Sequence, residues 1–171
     1  MIIILEGFDT TGKSNLAHYL VHKLKLGYMH NMPCYSTQLQ KDFINIIQAV
    51  GEGVVIDRFH LSDIVYGKIV CEHIRMNDFE IEQLERLLLN KKVVFIHCTA
   101  RLKIVRDRYQ KENNKYVPRT LIMQCLEEYN RQFDRLRNKG FRVYKLDTSE
   151  PIEIQRSYID KMITSLTRGE I

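Results

Sequence analysis

Short apolar runs alternate along the chain with longer stretches in which apolar side chains recur every three or four residues. The first kind reads as buried strands of a parallel sheet and the second as amphipathic helices, which is the pattern of successive βαβ units. Strands are expected at Ile2 to Glu6, Tyr28 to Asn31, Val54 to Ile56, Lys92 to His97 and Arg142 to Leu146. Helices are expected at Lys13 to Leu24, which carries Leu16, Leu20 and Leu24 on one face, and after Ser36 as a cap, with Leu39, Phe43, Ile46 and Ile47 inward until Gly51 and Gly53 stop it. Further helices are expected near Ser62–Ile74, Asp78–Leu89, twice between the fourth and fifth strands, and from about Pro151 to Leu166. Five strands with helices on both faces make a doubly wound α/β fold.

Length and composition narrow this picture. The 171 residues, 44% hydrophobic, suit one domain over the whole chain with a sizeable core and exclude a disordered or collagen-like polymer. The longest apolar runs are too short to span a bilayer, and Met1-Ile-Ile-Ile-Leu leads straight into Glu6, unlike a signal peptide. Cys34, Cys71, Cys98 and Cys125 are far apart and form no metal-binding spacing, so free thiols in a reducing, cytoplasmic setting are expected, with Cys98 buried after Val93-Val-Phe-Ile. The net charge of +5 equals the surplus of the single segment 101–119, where Arg101, Lys103, Arg106, Arg108, Lys111, Lys115 and Arg119 face only Asp107 and Glu112. A local anion site fits that distribution better than a coat for membranes or long nucleic acid.

Gly7-Phe-Asp-Thr-Thr-Gly-Lys-Ser14 satisfies G-x-x-x-x-G-K-[ST] at every specified position, between a predicted strand and a predicted helix. In that context backbone N–H groups and the positive helix end converge on one cavity. Gly7, Thr10, Thr11, Gly12, Lys13 and Ser14 are therefore expected to bind ATP, Lys13 reaching the β- and γ-phosphates and Ser14 coordinating Mg²⁺. Asp57 and Arg58 follow the third strand, at the sheet edge where doubly wound folds bind ligand; Asp57 suits the metal or its water shell, and Arg58 suits an acceptor phosphate. In the basic segment, Arg101, Arg108, Lys111 and Lys115 recur at intervals that bring several of them onto one helical face, and Arg108 is the first candidate for transition-state charge, with Lys111 behind it. Glu112 to Pro118 reads as a loop that would hinge such a lid.

GFDTTGKS, the DRFHLS segment with Ile64-Val-Tyr66-Gly67, and the basic stretch after the fourth strand together resemble the thymidylate kinase-like group of P-loop nucleoside and nucleotide kinases, in particular short versions found in phage genomes. The resemblance covers nearly the whole chain and implies a five-stranded parallel sheet of order 2-3-1-4-5. It implies Asp9 near the acceptor sugar, Asp57 and Arg58 at the catalytic centre, Ser62 and Tyr66 lining the acceptor pocket, and Arg108 as the first lid arginine. Asn31-Met-Pro-Cys34 stands where that group usually has Arg-Glu-Pro, and the short stretch before Asp57 leaves Tyr35 and Gln38 to contact the base. A homodimer follows only by analogy. The expected reaction is ATP- and Mg²⁺-dependent phosphorylation of a deoxynucleoside 5′-monophosphate. The alternatives are a deoxynucleoside kinase, a kinase acting on a hydroxyl in a nucleic acid, and a nucleotide-binding switch. His18 and His22 read as a solvent face, His60 as a group near the acceptor cavity, and Tyr129, Phe133 and Leu136 as core.

Overall fold

The computed structural model describes residues 1–31, 38–51, 53–113 and 116–168. Five parallel strands, β1 (Ile2–Glu6), β2 (Gly27–His30), β3 (Val54–Asp57), β4 (Val94–Thr99) and β5 (Arg142–Asp147), form one sheet in the order β2-β3-β1-β4-β5. The helices are α1 (Lys13–Leu24), α2 (Leu39–Ala49), α3 (His60–Ile69), α4 (Asp78–Asn90), α5 (Leu102–Lys111), α6 (Ile122–Asn138) and α7 (Ile152–Arg168), with a 3₁₀ turn at Arg119–Leu121.

β1 is buried from end to end because both faces of the sheet are covered. Its alternation divides the apolar interior. Ile2 and Ile4 join Phe43, Phe59, Phe95, Tyr129 and Phe133, while Ile3 and Leu5 join Leu16, Leu20, Ile96 and Cys98 with Ile159 and Met162 of α7. Cys98 and Cys125 are buried, and Tyr129, Phe133 and Leu136 are fully enclosed, in agreement with the stripe read from their spacing.

The element boundaries differ where tertiary contacts intervene. α3 begins at His60 and stops at Ile69, short of Ile74, because residues 70–73 fold back across it: the His73 N–H donates to the Gly67 carbonyl at 2.8 Å. β4 begins at Val94 because Lys92, at φ 50°, and Val93 close the end of α4 through the Leu89 and Leu88 carbonyls. Gln38 occupies the position before α2; Ser36, expected to cap it, lies outside the described residues, as do Met32 to Cys34, Tyr35 and Lys115.

The strand order reverses at β1, so the carboxyl ends of β3, β1 and β4 open onto one crevice. Register places Leu5 beside Asp57 and Glu6 beside His97, which brings the loop after β1 to the residues that end β3.

Candidate functional site

The loop from Gly7 to Ser14 owes its shape to two close approaches. A Cβ on Gly7 would stand 2.0 Å from the Cys98 carbonyl oxygen, and one on Gly12, at φ 77°, would stand 3.3 Å from the Thr148 methyl. Within the loop the Thr11 hydroxyl donates to the Phe8 carbonyl at 2.6 Å. The Lys13 ammonium folds back to donate to the Gly7 and Phe8 carbonyls at 2.9 and 2.8 Å. Burial brings its pKa down to about 8, with the Arg58 charge acting in the same direction.

Ser14 Oγ donates to Asp57 Oδ2 at 2.7 Å, joining the start of α1 to the end of β3. The same oxygen accepts from the Tyr28 hydroxyl at 3.4 Å and lies 3.3 Å from His30 Nδ1. Asp57 Oδ1 is buried and has no hydrogen-bond partner among the described residues. A hydroxyl and an unpartnered carboxylate oxygen form a hard-oxygen donor set that suits Mg²⁺. Among the described residues no group of three or more His, Cys, Asp or Glu side chains could hold a metal ion. His18 rests against the Tyr28 ring, the centroids 5.0 Å apart.

Arg58 has φ 72°, a left-handed conformation that a branched-free side chain tolerates only under constraint. Its guanidinium ion-pairs with Asp9 and lies 5.7 Å from the Tyr66 ring centroid. The Tyr66 hydroxyl accepts from the Asp9 N–H at 3.2 Å, so Asp9, Arg58 and Tyr66 meet beside the loop. Ser62 is oriented differently from the expectation of an acceptor contact. Its N–H donates to Glu6 Oε1 at 2.9 Å, its hydroxyl donates to Glu6 Oε2, and Tyr129 Oη lies 3.0 Å from Oγ. It therefore anchors the first turn of α3 to the end of β1, with only a long 3.5 Å contact from Arg58. His60 also turns away from the crevice: it is fully buried, 3.2 Å from Glu85 Oε1, and edge-on to Phe95.

Arg108 donates to the Thr10 carbonyl at 3.2 Å and to the Thr148 hydroxyl and carbonyl at 2.9 and 2.8 Å. It ties α5 to the phosphate loop and to the turn after β5. Arg101 does not share its helical face; it precedes α5 in extended conformation and pairs with Glu150 at 3.1 Å, because its N–H is held by Ser149 Oγ at 2.6 Å. Lys111 is exposed at the end of α5. Gln38 is exposed, its Oε1 accepting from Lys41 at 3.2 Å.

Thr148 is the residue that sequence reading passed over. It lies over Gly12, receives Arg108, and donates its own N–H to the Thr99 carbonyl at 2.8 Å. Its signal was positional: it directly follows the fifth strand, at the sheet edge that carries the other site residues.

No protein-family model matches the chain. In sequence it is 26% identical over 153 residues to the SPbeta prophage-derived uncharacterized protein YorR of Bacillus subtilis (strain 168), covering 87% of this chain and 90% of the relative. The crystal structure of YorR in complex with phosphorylated GDP aligns with a TM-score of 0.80 at 22% identity, over 100% of this chain and 99% of that one. Deoxyadenosine kinase from M. mycoides, with dCMP and dCDP bound, aligns with a TM-score of 0.64 at 16% identity, over 97% and 100% of the two chains. Thymidylate kinase from Candida albicans aligns with a TM-score of 0.61 at 16% identity, over 96% and 91%. The sheet order, the loop after its central strand and these likenesses give the chain the fold of the P-loop kinases.

Proposed function

We propose that the protein is a single-domain kinase that transfers the γ-phosphoryl group of ATP to a deoxynucleoside 5′-monophosphate, with segment 101–119 as its lid. The observation that carries this reading is the Arg58–Asp9 pair beside the phosphate loop. A guanidinium suits an acceptor phosphate and a carboxylate suits a sugar hydroxyl, so one nucleotide can take both partners of the pair.

On this reading Lys13 leaves the Gly7 and Phe8 carbonyls and turns its ammonium to the β- and γ-phosphates, whose charge keeps it protonated. Ser14 and Asp57 would hold Mg²⁺, directly or through its water. When bound, Mg²⁺ neutralises developing charge on the transferring phosphate and orients it. Arg58 exchanges Asp9 for the acceptor phosphate and aligns it with the donor; Asp9 is then available to the sugar. Arg108 lies close enough to the loop, through its contact with Thr10, to neutralise charge on the donor side. A phosphate oxygen is already nucleophilic, so alignment and charge neutralisation suffice without a general base.

The test is ADP release measured against a panel of nucleoside monophosphates and nucleosides. Stimulation by a deoxynucleoside monophosphate supports the reading. Stimulation by nucleosides alone replaces it with nucleoside kinase activity, and no stimulation by any acceptor removes it.

A further inference from the structure

β2 is an edge strand, and Tyr28 and His30 stand two residues apart on it, so both project from the same face of the sheet. Tyr28 is 40% exposed and His30 is also exposed, yet the polar ends of both turn inward to a single buried atom. Parallel register sets His30 directly opposite Asp57, and its Nδ1 lies 3.3 Å from Asp57 Oδ2. The Tyr28 hydroxyl donates to the same oxygen at 3.4 Å, and Ser14 Oγ donates to it at 2.7 Å.

The result is an asymmetric carboxylate. An ionised carboxylate oxygen has about two lone pairs to offer; the Ser14 and Tyr28 hydroxyls donate to Oδ2 with the His30 ring nitrogen beside them, while Oδ1 has no partner among the described residues. Without the two β2 side chains, Ser14 alone would hold the group, and its last torsion could swing over a wide range. Contacts from two elements, α1 and β2, onto the end of β3 remove that freedom.

We propose that Tyr28 and His30 are positioning residues that lock Asp57 through Oδ2 and leave Oδ1 as the oxygen that serves the Mg²⁺–nucleotide. This assignment rests on the kinase reading for its ligand. Outer hydrogen bonds of this kind commonly tune metal affinity by one or two orders of magnitude.

The experiment is calorimetric titration of ATP into the full chain, once with Mg²⁺ and once with EDTA. The ratio of the two affinities gives the metal's contribution. Combining Tyr28→Phe with His30→Leu is expected to reduce that ratio about tenfold. His30→Asn, whose amide nitrogen falls near the place of Nδ1, is expected to retain most of it when Tyr28 is intact. An unchanged ratio in the double variant overturns the proposal, as does a ratio that falls as far in His30→Asn as in the double variant. A second measurement needs no nucleotide. In the wild type at pH 8, the ¹⁵N resonances of His30 are expected to show a proton on Nδ1, the donor its contact with Asp57 requires; a neutral ring carrying its proton on Nε2 overturns the lock. If the wild type binds no ATP in either condition, the kinase reading fails, and the imidazole resonances still decide the arrangement around Asp57.

Discussion

The Arg58 guanidinium and the Asp9 carboxylate neutralise each other across the mouth of the phosphate loop, under the ring of Tyr66. The pair joins the residue just past β3 to the loop that follows β1, and each group is held in place by the charge of the other. A nucleotide acceptor would enter by separating them. Arg58→Lys keeps the charge and removes the planar fork that can grip a phosphate by two bonds. Steady-state kinetics are expected to show kcat/KM for the acceptor at least tenfold lower, with the KM for ATP within twofold of wild type. An unchanged acceptor kcat/KM would remove Arg58 from the acceptor site.

Lys13 carries a second prediction, in stability as well as turnover. Its folded pKa of about 8 lies below the ordinary 10.5, so the folded state gives up its proton before the unfolded chain does. Stability from this group therefore rises with pH between about 8 and 10.5, and the burial penalty is fully present below 8. Lys13→Met is expected to abolish turnover. Its stability relative to wild type should fall by about 3 kcal/mol between pH 7 and pH 10.5, read from urea denaturation of both proteins at each pH. A difference independent of pH would show that the ammonium is not desolvated in the ligand-free chain.

His97 is expected to make the protein sensitive to acid. It is buried on β4 and stacked on Phe133 with centroids 4.1 Å apart, and burial, aided by the charges of Lys145 and Arg137, lowers its pKa to about 3. A buried neutral imidazole stabilises fully above the unfolded value of 6.5, and that stability is lost as pH falls toward 3. Wild type should lose about 1.4 kcal/mol per pH unit from this source over that interval, and His97→Phe should lose none of it. Denaturation midpoints of the two proteins from pH 7 to pH 4 make the comparison; parallel curves would sink the assignment.

Arg108 is held by Thr10 and Thr148 at once. If the proposed function holds, Arg108→Ala is expected to raise the KM for ATP about tenfold and to lower kcat, since on that reading it deletes a cation beside the donor phosphates. Thr148→Val preserves the shape over Gly12 and removes one acceptor, so a change within threefold is expected. Equal kinetics for Arg108→Ala and wild type would confine Arg108 to joining α5 to the turn after β5.

What sequence could and could not disclose follows from the range of the forces involved. The sheet was readable because buried parallel strands must be apolar throughout, as Ile2 to Leu5 and Val93 to Ile96 are. The loop was readable because close backbone approach admits few residues besides glycine at Gly7 and Gly12. The contacts that Ser62, His60 and Arg101 make were not readable, for a shared reason. Each has an appropriate chemical type beside the site, and each is turned aside by a partner remote in sequence: Glu6, Glu85 and Glu150 respectively. Thr148 was missed because its importance comes from standing over Gly12, 136 positions earlier, and no local pattern records that. The inward turn of Tyr28 and His30 is likewise a product of strand register.

The fit of Gly7 beneath the Cys98 carbonyl and of Gly12 beneath the Thr148 methyl bears on protein engineering. The eight-residue loop is moulded from outside, by the ends of β4 and β5, as much as by its own glycines. Grafted onto a foreign strand and helix without those two walls, the same eight residues would have no surface to set their curvature. The transferable unit is the loop together with the tips of three strands.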